Sequence, residues 1–264
     1  MIKIEGTKMF KNQKQKDIFT SIIFYITLII LWQLIFVIGT QWLKLWKPYA
    51  FPNPKGVAEV FVRLCANTTL LRAAGKSILR ALLGFAISAV LGVLAGVVLY
   101  KIKKIRKYIG PLIMGMQTLP TVCWVPFAIL WFGLTEQAII FVVIMGSTCG
   151  IALSVEKGIE NIDPLYLKAA RTMGARGFVL FKEVIIPASL PEVITGLRHG
   201  WSFAWRALMS GEVMASTVGL GHTLILGRDL ADINQVMLVM ITIIVIGIAV
   251  DKCIFMQIEK KLLK

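Results

Sequence analysis

Residues 18–38 run for 21 positions without a charge, and such a run leaves a chain few ways to fold. About 20 predominantly apolar residues in a helix cross the roughly 30 Å hydrocarbon core of a bilayer. No water reaches backbone N–H and C=O groups there, so the run must be helical throughout. Further apolar blocks follow at 77–100, 109–133, 137–155 and 233–250, and a less apolar one at 192–215. The block at 109–133 is uncharged and broken by Pro111, Pro120 and Pro126. Only 16% of residues are charged, against about a quarter in soluble domains. The expected fold is therefore an all-α integral membrane protein with six transmembrane helices. Residues 1–76 hold an N-terminal cytoplasmic segment, the first span and an outer loop; residues 77–264 hold a five-helix core with a connecting loop at 157–191. The Lys-rich start also suits a signal peptide, but the run is long and no small-x-small cleavage site follows, so the first span is expected to be retained.

The distribution of basic residues sets the orientation. With the N-terminus inside, the inner segments 1–17, 101–108, 157–192 and 252–264 carry five, five, five and four Lys/Arg. The outer segments 39–76, 134–136 and 217–232 carry six, none and one. That bias favours N-in and C-in, with KIKKIRKY (101–108) the strongest inside marker and the 39–76 loop arguing mildly the other way. The same bias explains the net charge of +15 without any nucleic acid partner. Arg80, near one end of the second span, is placed to snorkel. In the outer loop FPNPKG (51–56) reads as a turn, followed by a short surface helix over 57–71.

Small residues recur at four-residue steps. Gly84, Ser88, Gly92 and Gly96 share one face of the second span, Gly146 and Gly150 one face of the fourth, and Gly196, Gly200 and Ala204 one face of the fifth. Such ridges let helices approach closely where lipid offers no hydrophobic drive. Chemistry is harder to find. Cys65, Cys123, Cys149 and Cys253 lack C-x-x-C spacing, and His199 and His222 lie outside any H-E-x-x-H context. No G-x-S-x-G, paired-carboxylate motif or G-x-x-x-x-G-K-[ST] loop occurs, so neither a metal nor a nucleotide site is expected in this chain. A relay of Asp, Glu or His across the membrane is also missing, which points to an external energy source.

Polar and aromatic residues within the spans supply the candidate pathway for a small solute: Trp124, Ser147, Thr148, Trp201, Trp205, Arg206, Met209 and Glu212. Arg206 is the deepest charge and costs about 2.5–3.5 kcal/mol at mid-membrane, so it should face protein or water. Glu212 lies six residues on, which is no helical pair, though another helix could join the two. Two readings stand. Trp201, Trp205 and Arg206 line a passage for an anion, or Arg206 anchors packing and the tryptophans fill space.

Between spans four and five lies YLKAARTMGARGFVLFKEVIIPASLP (166–191). Asp163 is an apt N-cap, Pro164 an apt first residue, 165–173 a short helix and Gly174 its left-handed stop. Ala169 and Ala170 leave a smooth surface for another protein. A second helix over 176–183 uses Phe178, Leu180 and Phe181 as anchors, and Pro187 and Pro191 mark the return to the membrane.

Ala169-Ala170, three residues, Gly174, nine residues, then Val184-Ile185-Ile186-Pro187 resembles the signature of inner-membrane permeases of ABC importers. Lys168 departs from it, standing where the pattern has Glu. FPNP (51–54), SILRALLGFAISAVLGVLAG (77–96), LPTVCWVPFAILWFG (119–133) and AWRALMSGEV with GLGHTLILGRDLADINQV (204–236) resemble the nitrate, sulfonate and taurine branch of that family. The likeness covers roughly residues 50–255. It implies a permease dimer in the cytoplasmic membrane, two separate ATPase subunits that hold ATP and Mg, and an extracytoplasmic solute-binding protein. It also implies that 163–174 is the coupling helix, with Asp163, Pro164, Leu165, Tyr166, Leu167, Ala169, Ala170, Arg171 and Gly174 its working residues. The chain itself is then no enzyme and carries no cofactor. An ion-coupled transporter acting alone, or a permease of the same family for a vitamin precursor, are the alternatives.

Overall fold

The structure, a computed structural model, describes residues 19–47 and 49–260 in full and residues 2–18, 261 and 262 in backbone only. Its elements are all helical among the described residues: α1 Ile2–Val37, α2 Pro54–Ala66, α3 Thr69–Lys101, α4 Lys103–Thr118, α5 Trp124–Phe132, α6 Glu136–Glu160, α7 Pro164–Thr172, α8 Gly177–Leu180, α9 Ile186–Met214, α10 Leu220–Asp229, α11 Ile233–Val250 and α12 Met256–Leu262. Single π-turns extend α1 (Ile38–Trp42), join α8 to α9 (Phe181–Ile185) and join α11 to α12 (Asp251–Phe255). Among the described residues, four stretches are long and apolar enough to cross a membrane: Phe19–Trp42, Thr69–Lys101, Glu136–Glu160 and Ile233–Lys260. The bent pair α4–α5 makes a fifth if it counts as one crossing. With 29 residues, α9 is about 43 Å long, but its charges keep it below that apolar standard.

Local chemistry explains where expected and observed elements differ. The outer helix begins at Pro54, because Asn53 Oδ1 accepts from Lys55 N at 3.0 Å and proline suits the first helical position. It stops at Ala66, not at 71, because Thr68 has φ 55° and a left-handed residue cannot continue a right-handed helix. The third expected span is bent by 97°. Pro120 holds Leu119 extended (φ −66°, ψ 128°) and ends α4 there. Pro111 is carried inside α4, while Pro126 sits in the first turn of α5, where an N–H has no helical partner anyway. Pro187 and Pro191, expected to mark the return to the membrane, lie within a continuous helical stretch. The i→i+5 turn before Pro187 accommodates the missing donor, and α8, the π-turn and α9 run on as one helical stretch from 177 to 214.

The chain divides into two units, residues 1–66 with 227–238, and residues 67–226 with 239–264. In the first, Trp32 Nε1 donates to Pro52 O (3.0 Å), Asn53 N to Asn234 Oδ1 (2.9 Å) and Arg63 to Asp232 (2.8 Å). In the second, α3, α6 and α9 pack on one another through the small-residue ridges. A Cβ on Gly92 would lie 2.7 Å from Ile151, and one on Gly96 2.6 Å from the Ala152 carbonyl, so the α3 backbone rides directly on α6. Gly196 and Gly200 do the same for α9 against Ser154 and Ile151. Ionic ties close the end where α6 runs out: Arg198 holds Asp251 through two 2.6 Å bonds, and Arg106 holds Glu160.

Candidate functional site

The short helix α7 is built as its sequence indicates. Asp163 Oδ1 accepts from Leu165 N at 2.8 Å, and Pro164 follows as the first helical residue. At the other end Gly174 takes φ 91°, and Ala175 N donates to Ala170 O at 3.0 Å, which closes the last turn. No residue of α7 is fully buried. Leu165, Tyr166, Lys168, Ala169, Arg171 and Met173 face outward, with Met173 88% exposed. Leu167 and Ala170 do not. They pack on the chain's own core of Ile162, Leu180 and Ile185, so the smooth surface expected of the Ala169-Ala170 pair reduces to Ala169. Phe178, expected as an anchor, is 75% exposed, and Leu180 with Phe181 does the anchoring. Beside α7 lies a cleft of about 650 Å³ edged by Asp163, Tyr166, Glu183 and Glu192.

The second feature is a cavity of about 420 Å³ at the break between α4 and α5. Residues 116–122 and Trp124 form one wall, Met145 and Gly146 of α6 another, and Phe203 and Arg206 of α9 the third. Gly146 permits this closeness: a Cβ there would meet Ala207 at 2.8 Å and Thr121 at 2.9 Å. The Arg206 guanidinium lies 4.9 Å from the Phe203 ring centre, and its Nε donates to Ser202 O at 3.2 Å. Among the described residues it pairs with no carboxylate, and none lines the cavity. An exposed cation without a counter-charge, on a cavity that Thr121 also lines, suits a small anion.

The remaining pathway candidates sit elsewhere. Trp201 and Trp205 stack at 6.0 Å, but they face the helix core. Trp201 packs edge-on against Phe85 at 5.4 Å, and Trp205 Nε1 donates to Ile243 O at 3.3 Å. Adjacent residues on a helix point about 100° apart, so Trp205 and Arg206 cannot share one face. Ser147 and Thr148 donate to carbonyls one turn back in α6. Met209 is half-buried and does not line the cavity.

Glu212 is fully buried, and no helix joins it to Arg206. It accepts from Ser77 Oγ (2.8 and 2.7 Å), Arg80 Nη1 (2.9 Å) and Gly221 N (3.0 Å). Arg80 does not snorkel: 2% exposed, it also reaches Glu136 Oε1 (2.9 Å) and Val218 O (2.8 Å). Ser77 Oγ in turn accepts from Leu220 N at 2.9 Å. One carboxylate thus ties α3, the start of α6 through Arg80, the end of α9 and the loop 215–220. A sequence signal for it existed. Ser77, Arg80 and Gly84 continue the Gly84–Gly96 ridge toward its N-terminal end, so Arg80 points at a helix interface and away from lipid.

Residues 88–259, roughly two thirds of the chain, match the model of the family described as binding-protein-dependent transport system inner membrane component. The chain belongs to that family. This permease is accordingly a multi-pass protein of the inner membrane. The provisionally named aliphatic sulfonates transport permease SsuC of Escherichia coli K12 is 30% identical to the permease over 85% of this chain and 83% of its own. The taurine transport system permease TauC of the same organism is 27% identical over 68% and 67%. The nitrate import permease NrtB of a Synechocystis strain is 24% identical over 67% and 65%. In fold, the permease is similar to a chain of the MetNI methionine ABC transporter, with TM-score 0.64, 18% identity and coverage of 75% of this chain and 97% of that one.

Proposed function

We propose that this permease subunit forms the translocation pathway of an ABC importer for a small anion of the sulfonate or nitrate class. It works as a dimer, driven by two separate ATPase subunits and fed by an extracytoplasmic solute-binding protein. In this reading it crosses the membrane six times with both ends inside: α1, α3, the bent α4–α5 pair, α6, α9 and α11–α12. The observation that carries the proposal is α7. A nine-residue helix capped at both ends, anchored by Leu167 and Ala170 and presenting Leu165, Tyr166 and Ala169, is shaped to seat in another protein. The carboxylate-edged cleft beside it gives a partner's basic side chain a complementary socket. The uncompensated Arg206 supports an anionic solute, as do relatives named for sulfonates, taurine and nitrate.

The test uses the assembled transporter in liposomes. Ala169→Trp and Tyr166→Ala should each abolish the ATP hydrolysis stimulated by loaded binding protein while the chain still inserts. Wild-type stimulation in both would sink the docking role of α7. Solute uptake by the chain without any ATPase, driven by an ion gradient, would replace the reading with a secondary transporter.

A further inference from the structure

A second cavity adjoins the one at Arg206. It has a volume of about 380 Å³ and is lined by Gln117, Thr118, Gly150, Ser154 and Lys157, among others, and Gln117 and Thr118 line the first cavity as well. Along α6 the lining passes from Gly146 to Gly150, Ser154 and Lys157, steps of four, four and three residues on one helix face. Those 11 residues advance about 16 Å along the helix, toward the end that leads into α7.

The linking groups are in contact range. A Cβ on Gly150 would lie 3.3 Å from the Phe203 ring and 3.6 Å from Gln117 Nε2, so the ring that carries Arg206 borders the amide of Gln117. Neither cavity is lined by Asp or Glu. Lys157 has carboxylates at both sides in sequence, yet Glu156 and Glu160 are both taken by Arg106. Among the described residues Lys157 forms no ion pair. The route therefore has a cation at each end, amide and hydroxyl groups between them and no negative charge.

We propose that Lys157 is a second cationic station on the path of the transported anion, with Gln117 passing the anion from Arg206 toward it. A single fixed cation would hold an anion as readily as it admits it. Two sites in sequence keep binding favourable while lowering the barrier to leaving, the arrangement that conduction through a selective pore requires. The proposal rests on the anion-importer reading above and adds the order of the sites and the side from which the anion leaves.

The test is ATP-driven uptake into liposomes holding the complete transporter, with labelled ethanesulfonate, taurine and nitrate as the probes. Lys157→Gln should lower uptake per ATP hydrolysed by about tenfold, the loss of one charge interaction of about 1.4 kcal/mol. Lys157→Arg should restore it, and Gln117→Leu should lower it in the same way. Wild-type uptake per ATP in Lys157→Gln and Gln117→Leu would overturn the second station, as would equal impairment of Lys157→Gln and Lys157→Arg, which marks a packing role. If the wild-type transporter hydrolyses ATP but imports none of the three probes, the anion reading itself fails and the station with it.

Discussion

The buried pair of Arg80 and Glu212 offers the sharpest energetic prediction. Both side chains are out of water, at 3% and 0% exposure, and they meet at 2.9 Å. Glu212→Leu removes the acceptor for Ser77, for Gly221 N and for one arm of Arg80, leaving three donors without it inside the protein. Arg80→Leu strands a carboxylate with only a hydroxyl and one amide as donors. Breaking a buried pair from either side should cost about 3–5 kcal/mol, because an uncompensated charge stays behind. The double variant Arg80→Leu/Glu212→Leu removes both charges at once. Its cost should fall short of the sum of the singles by about 0.5–3 kcal/mol. Glu136→Gln breaks the other arm of Arg80, but Glu136 is 51% exposed, so the loss should be about 1 kcal/mol or less. Reversible unfolding of the detergent-solubilised chain by dodecyl sulfate, followed by tryptophan fluorescence, measures all four. Single variants that each lose under about 1 kcal/mol, or singles that add to the double, would refute the idea that this pair is the tie at its end of the bundle.

Three further outcomes are expected. Gly92→Leu forces side-chain atoms into Ile151 and the Thr148 carbonyl, and should destabilise the same preparation by about 1–3 kcal/mol, whereas Gly75→Ala in the same helix meets nothing within 4 Å and should stabilise it by about 0.4–1 kcal/mol. Asp163→Ala removes the cap of α7 at a local cost of about 0.5–2 kcal/mol, so amide exchange should rise over 163–174 while the unfolding midpoint of the bundle stays put. Arg206→Leu should lower ATP-driven anion uptake by about tenfold or more with assembly intact, and unchanged uptake would remove the case for an anion in the first cavity.

How far these features could be read from sequence depends on how far apart in the chain their causes lie. The ends of α7 are set by Asp163, Pro164 and Gly174, all within a dozen residues, and they come out as the sequence indicates. The small-residue ridges are also local patterns, and they mark the helix faces that do meet. The prolines of 109–133 announce a break, but a 97° bend needs the extended Leu119 and the packing of α5 against α6. The partner of Glu212 is 132 residues away, so no spacing rule reaches Arg80. The pathway candidates separate for a different reason. Polarity and aromaticity select Trp201, Trp205 and Arg206 together, while helix geometry sends the tryptophans to the core and Arg206 to the cavity.

The two candidate sites are joined by one continuous set of packed helices. From Gly177 the chain runs without interruption through the π-turn to Met214, and Arg206 lies 29 residues along it, about 44 Å from its start. α7 packs against the beginning of this rod through Leu167, Ala170 and the Leu180 cluster. Gly196 and Gly200 press the rod onto α6 at backbone contact, α6 in turn carries α3 on Gly84, Gly92 and Gly96, and the Glu212 cluster ties the far end. Packed interfaces of this kind shift as units and do not deform gradually. On the proposed reading, a displacement of α7 would reach Arg206 as motion of the α3–α6–α9 body. The α4–α5 break forms the other wall of both cavities. It joins that body through the buried cluster of Val125 and Ala128 with Ala138, Val142 and Ala207, and through the Thr121 side chain against Gly146. It is the wall against which such a body would move. Arg206 and Lys157 belong to the body and Gln117 and Thr121 to the wall, so relative motion of the two alters the spacing of the groups that would hold an anion.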